Sequence, residues 1–216
     1  MTRIGVIDYG MGNRRSVEKA LEHVGAHAAI THDHAQLRSA DGLVLPGVGA
    51  FPQAMRNLGA LGLPDVIRDL VNRGTPLLGI CLGMQLLFDA SAEIEPTPGL
   101  GLIEGDVTRL NVGGLRIPHI GWNEVRFDRP SALTAELPPN GCALYHVHSF
   151  APRPTRAEDV IGTTEYGERF ATIVGRDRVF GVQFHPEKSS RHGLRMLHGF
   201  VALCAGGRAE SSRVAA

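Results

Sequence analysis

The pentapeptide Gly79-Ile80-Cys81-Leu82-Gly83 lies between a short apolar run, Pro76 to Ile80, and a stretch from Leu82 to Phe88 that reads as a helix. A buried strand that turns sharply into a helix leaves no room for a Cβ two residues before or after the turn. The residue at the turn then stands exposed above the sheet. This is the nucleophile-elbow pattern with Cys in place of Ser. A helix N-terminus favours the thiolate, which is the reactive form. Taken alone, the pentapeptide also fits a buried structural Cys between two packing glycines; the strand-turn-helix context favours the nucleophile.

Working outward, the N-terminal half alternates strands with helices. Arg3 to Ile7 is an apolar run ending in the glycine-rich turn Asp8-Tyr9-Gly10-Met11-Gly12-Asn13. Val17, Ala20, Leu21 and Val24 follow at helical spacing, with Gly25 as a stop. Ala28 to Thr31 and Gly42 to Leu45 are further strands. Leu63, Val66, Ile67, Leu70 and Val71 form a second amphipathic helix ended by Gly74. Such alternation predicts an α/β fold, a doubly wound, mostly parallel sheet flanked by helices. After residue 100 short strand-like runs follow one another: 106–110, 123–127, 143–150, 160–164, 171–174 and 179–184. They predict an added antiparallel portion. A last helix is expected near Ser190–Cys204. Residues 1–205 read as one domain, and 206–216 as a flexible tail.

Composition narrows the function. Of 216 residues, 43% are hydrophobic, enough for a sizeable core, and 22 basic residues balance 22 acidic ones. A nucleic-acid binder shows a basic surplus, so that class loses ground. Three cysteines at wide spacing make neither a disulfide framework nor a zinc pattern. No run approaches a membrane span or a signal peptide, so a reduced, cytoplasmic protein is expected, with no metal or cofactor. The 27 glycines mark tight turns and close backbone approaches.

A Cys nucleophile needs a base, and the base an orienting group. Among ten histidines, His185 in His185-Pro186-Glu187 ends the run Val179 to Phe184. On extended chain, residues two apart share a face, so Glu187 can hold the imidazole while its other nitrogen takes the thiol proton. His146 and His148 alternate with Tyr145 on a strand. They read as metal ligands or, in preference, as a half-exposed face beside the site. His23, His27, His32 and His34 read as solvated. Tyr9 to Asn13 and Leu45 to Gly49 lack the features of phosphate loops. A glycine loop beside the nucleophile can instead hold a tetrahedral oxyanion, worth roughly 3–4 kcal/mol.

These motifs resemble the class I (triad) glutamine amidotransferases. The elbow extended through Met84-Gln85, with His185-Pro186-Glu187, is shared widely in that family. Pro118-His119-Ile120-Gly121-Trp122-Asn123 and Pro46-Gly47-Val48-Gly49-Ala50-Phe51 are similar to the branch that feeds a histidine-biosynthetic cyclase. The resemblance implies a glutaminase: Cys81 forms a glutamyl thioester, His185 is the base, and Glu187 orients it. It implies an oxyanion loop at Gly47, Val48 and Gly49 with the N–H of Leu82. It gives Gln85, Ser149 and Phe150 to the amino-acid end of glutamine. The implied partner is a (β/α)8-barrel cyclase that receives ammonia and makes imidazole glycerol phosphate and an aminoimidazole carboxamide ribotide, as a heterodimer. The implied interface carries Asn13, Trp122, Tyr145 and Lys188. Two positions depart from the family pattern: aromatic residues are usual where His146 stands, and tyrosine where Phe150 stands. Three alternatives stay open here: a glutaminase subunit of another amidotransferase, a non-catalytic module on the same fold, and a free-standing cysteine hydrolase.

Overall fold

A computed structural model describes residues 1–214, with side chains through residue 206. The first half builds β1 (Arg3–Ile7), α1 (Arg14–His23), β2 (His27–Thr31), α2 (His34–Arg38), β3 (Gly42–Gly47), α3 (Phe51–Ala60), α4 (Leu63–Asn72), β4 (Leu77–Cys81) and α5 (Leu82–Gln85). The second half adds β5 (Ala90–Ser91), β6 (Thr97–Pro98), β7 (Gly105–Arg109), β8 (His119–Phe127), β9 (Cys142–His148), β10 (Phe150–Pro154), β11 (Val160–Glu165), β12 (Arg169–Arg176), β13 (Val179–Val182) and α6 (Ser190–Val214).

One nine-stranded sheet runs in the order β2-β1-β3-β4-β13-β12-β11-β8-β9. The block from β2 to β13 is parallel, and every pairing from β13 to β9 is antiparallel. The parallel block and the added antiparallel portion thus form one mixed sheet, the antiparallel strands extending it at one side. A small sheet, β10-β7-β5-β6, stands beside it.

Alternation on the strands divides the core. Ile4, Val6, Val44, Leu78 and Ile80 pack under α1 and α6, against Leu21, Leu197 and Phe200. Ile7, Leu43, Leu45 and Leu77 face the other way, against Leu58, Ile67 and Leu70 of α3 and α4. Helices thus cover both faces. In α4, Leu63, Val66, Ile67 and Leu70 are buried at helical spacing, each contributing about 1.5–3 kcal/mol. Gly62 enters it at φ 63° and Gly74 follows it at φ 84°, both left-handed values. Among the described residues no helix is long and apolar enough to cross a membrane.

Several elements differ from the sequence expectation. Two helices, α2 and α3, precede α4. The Asp33 carboxylate caps α2 by accepting from the Gln36 N–H at 2.8 Å. The run 143–150 is two strands in two sheets, β9 and β10, with Ser149 at the crossing. The helix after Cys81 is one turn, Leu82–Gln85, not a run to Phe88. The strand β13 stops at Val182, and Pro186–Lys188 is a 3-10 turn. The last helix continues through Val214, past the expected end at Cys204. Residues 215–216 of the expected tail lie outside the described residues.

Candidate active site

The elbow forms because its glycines have no Cβ. A Cβ on Gly83 would lie 1.8 Å from the Leu45 carbonyl oxygen, and one on Gly79 2.6 Å from the Gly83 oxygen. Neither clash can relax, since both partners are backbone. Between them Cys81 adopts φ 55°, ψ −112°, a region that costs an L-residue of order 1–3 kcal/mol. The surrounding packing imposes that geometry, and it turns the thiol toward a cavity of about 290 Å³. That volume is at the small end of ligand sites and suits one small molecule.

Across the cavity stands His185. Its Nδ1 donates to Glu187 Oε1 at 2.8 Å, and both side chains are almost completely buried. The pair meets through the 3-10 turn, not across a strand pleat: Pro186 bends the chain so that the carboxylate curls back under the ring. Among the described residues the His185 Nε2 and Glu187 Oε2 atoms meet no hydrogen-bond partner. Burial works against a charged imidazole, but the Cys81 sulfur and the Glu187 carboxylate outweigh it and push His185 up to about 10. Burial pushes the other two thiols up, Cys142 to about 11 and Cys204 to about 12. Both are therefore poor nucleophiles near neutral pH.

The cavity wall brings together Val48, Gly49, Leu82, Gln85, Ser149 and Phe150 as expected. Gly47 does not line it. Gly47 pairs with Cys81 in the sheet, and a Cβ there would strike Tyr9 Oη and the Gly83 nitrogen. The part of the loop that can present an N–H is thus Val48–Gly49, with Gly49 at φ 102°. Glu187 lies behind His185, and Asn13 Nδ2 reaches the same Oε1 at 3.5 Å. Asn13 is thus half-buried beside the triad carboxylate.

Glu93, Pro118, Val147 and His148 also line the cavity, roles the sequence reading did not assign. Glu93 Oε2 accepts the Phe51 N–H at 2.8 Å and so caps α3 from outside the helix. It is the carboxylate of this cavity. The Phe150 carbonyl accepts from both Gln85 Nε2, at 3.0 Å, and His148 Nδ1, at 2.9 Å.

His146 and His148 are buried, not half-exposed: His146 is 0% accessible. Phe170 and Phe184 pack edge-on against them, and His119 stacks on His146. Burial holds His148 down to about 3 and His119 to about 4, and drives His146 well below its ordinary value. Each ring nitrogen of His146 already has a protein partner, Leu144 O or Thr172 Oγ1. His23, His27, His32 and His34 are exposed. On the outer face Trp122 is 54% and Ile120 60% exposed, Trp122 meets Tyr145 edge-to-face at 6.2 Å, and Lys188 is exposed.

Comparison with known proteins gives the family and the fold. The family model "Glutamine amidotransferase class-I" matches residues 5–203. The imidazole glycerol phosphate synthase subunit HisH of Moorella thermoacetica is 52% identical over 94% of this chain and 96% of its own length. The HisH of Aquifex aeolicus is 48% identical, covering 92% and 95%. Among solved structures, that of PurLQS from Thermotoga maritima superimposes with a TM-score of 0.75 at 20% identity, covering 94% of this chain and 98% of that one. The glutaminase domain of CTPS from Trypanosoma brucei, solved with bound acivicin, gives 0.69 at 18% identity, covering 95% and 94%.

Proposed function

Because the chain belongs to the class I glutamine amidotransferases, we propose that it is the glutaminase subunit of an imidazole glycerol phosphate synthase and that Cys81, His185 and Glu187 are its triad. The observation that carries the assignment is the left-handed Cys81, with the buried His185–Glu187 pair on the same cavity.

The Cys81 thiolate attacks the side-chain amide carbon of glutamine. The carbonyl oxygen becomes an oxyanion, held by the Leu82 N–H and by an N–H of the Val48–Gly49 segment, each worth roughly 3–4 kcal/mol. The His185 imidazolium gives its Nε2 proton to the departing nitrogen, which leaves as ammonia, and a glutamyl thioester remains. His185, now neutral, takes a proton from water. The resulting attack on the thioester releases glutamate and restores the thiolate. Glu187 stabilises the charged ring in both halves of the cycle. At the other end of the substrate, Glu93 attracts the α-ammonium. Both Gln85 Nε2 hydrogens are engaged inside the protein, with Phe150 O and Gln183 Oε1, so Gln85 contributes its Oε1. Ser149 and the Phe150 segment complete that end.

Ammonia released into water is mostly protonated and useless as a nucleophile, so it passes directly to a (β/α)8-barrel cyclase in the cytoplasm. The docking face carries Ile120, Trp122, Tyr145 and Lys188, with Asn13 behind it. Tyr145 links that face to the triad: its carbonyl accepts the His185 N–H at 2.9 Å, and its own N–H donates to Ser189 Oγ at 3.0 Å. The reading is tested by ammonia release from glutamine, alone and with the cyclase and its ribotide ligand. A rise of at least about a hundredfold, the size of one oxyanion donor, is expected on adding both. A fully active chain, indifferent to the cyclase, would contradict it.

A further inference from the structure

Gln183 is 0% accessible. A leucine or methionine would fill its place without the cost of burying an amide, which requires partners on both its oxygen and its nitrogen. Its Oε1 accepts from Gln85 Nε2 at 3.1 Å. Among the described residues the acceptor its Nε2 meets is Cys81 Sγ, at 3.9 Å.

The orientation of this amide is not free. A backbone carbonyl can only accept, so the Phe150 oxygen fixes Gln85 with its nitrogen inward. That nitrogen in turn fixes Gln183 Oε1 toward Gln85, and Gln183 Nε2 toward the sulfur. The Phe150 carbonyl is itself held by His148 Nδ1–H, which makes His148 Nε2 an acceptor for His119 Nδ1–H at 3.1 Å. Asn123 Nδ2 closes the chain on His119 Nε2 at 3.2 Å. Burial keeps these rings neutral, as the single-tautomer chain requires.

The sulfur has a second neighbour, the Val147 carbonyl, also at 3.9 Å. A thiol can donate to that oxygen; a thiolate cannot, and is repelled by it. Gln183 N–H acts in the opposite sense, binding the anion more strongly than the thiol. We infer that Gln183 is a further catalytic residue, a hydrogen-bond donor to the Cys81 thiolate from just past the end of β13. The contact is long before substrate binds, as catalytic hydrogen bonds often are in the free enzyme. The same N–H is placed to stabilise the sulfur again when the thioester is hydrolysed and thiolate departs.

This inference rests on Cys81 being the nucleophile, and the test separates the two. Gln183→Glu keeps the shape and the bond from Gln85 Nε2 but presents an acceptor to the sulfur. Gln183→Met keeps the volume and removes both polar ends. In the full chain, iodoacetamide modification of Cys81 is followed by peptide mapping across pH, and kcat and KM are measured with the cyclase and its ligand present. Gln183→Glu is expected to slow Cys81 alkylation and lower kcat by about 10- to 100-fold, the effect of one hydrogen bond to a charged group. KM for glutamine should change less than about threefold. The acid limb of the alkylation profile should move to higher pH in both variants. If native Cys81 reacts no faster than Cys142 and Cys204, the nucleophile assignment itself falls. If native Cys81 reacts selectively and both variants match its rate and pH profile, the role of Gln183 is overturned. Should Gln183→Glu fail to fold, Gln183→Met carries the comparison.

Discussion

Lowering the pH from 7 toward 5 should destabilise this protein steeply, and the buried histidines set the slope. Burial holds His148 down to about 3 and His119 to about 4, with His146 also well depressed. In the unfolded chain the same rings titrate near 6.5. Between 6.5 and about 4 the unfolded state therefore binds protons that the native state refuses, and stability falls as pH falls. Each such ring contributes up to about 1.4 kcal/mol per pH unit, and three give up to about 4. Of a total stability of roughly 5–15 kcal/mol, about 6 would be lost by pH 5, before most carboxylates titrate. His185 has the opposite sign. Its raised value, about 10, makes a contribution that is complete below about 6.5 and lost as pH rises through about 10. The assay is urea unfolding at half-unit pH steps. His146→Phe sharpens it: the ring can still pack against Phe184 and His119, while the bonds to Thr172 and Leu144 are lost. That variant should be less stable at pH 7 by about 1–3 kcal/mol, yet its acid slope should be shallower by about one proton. Stability flat between pH 7 and 5, or a slope unchanged in His146→Phe, would refute the reasoning.

Three further outcomes are expected. Glu187→Gln removes one of the two anions that raise His185, and should lower kcat/KM by about 10- to 100-fold near neutral pH, less than His185→Ala; steady-state kinetics on both variants check the order. Gly83→Ala forces a Cβ to 1.8 Å from the Leu45 carbonyl, and should cost at least about 3 kcal/mol in urea unfolding or leave the chain insoluble. Lys188→Ala removes an exposed charge beside the triad turn, so it should weaken stimulation by the cyclase while leaving KM for glutamine within about twofold in kinetics with and without that partner.

Much of this architecture is legible in the chain because local sterics and periodicity encode it. Gly79 and Gly83 announce the elbow, since no other residue fits against the facing backbone. The helical spacing of Val17 to Val24 and of Leu63 to Leu70 gives α1 and α4. What sequence cannot carry is contact through space. The helix α3 has no capping side chain at Ala50; its cap is Glu93, brought in by the chain beyond α5. Ser149 looks like one more strand residue, yet it is where the chain leaves one sheet for the other. Periodicity places His146 and His148 on a common face, and polar residues suggest an open one. Burial follows only once Phe170 and Phe184 close over them. The proximity of His185 and Glu187 is right for a different reason than the pleat, because Pro186 bends the segment into a 3-10 turn. Gln183 stands in the motif before His185, but its meaning depends on Gln85 and the Phe150 carbonyl, neither of them its neighbour in the chain.

The central claim is that Cys81, alone of the three thiols, attacks glutamine. Its most direct measurement is covalent trapping with a glutamine-like chloroketone at neutral pH, in the presence of the cyclase and its ligand, followed by mass mapping of the modified peptide. The account predicts a single adduct on Cys81, blocked by excess glutamine and absent in Cys81→Ala, while that variant's complex still makes product from added ammonia. An adduct spread over Cys81, Cys142 and Cys204, or glutaminase activity surviving Cys81→Ala, would contradict it.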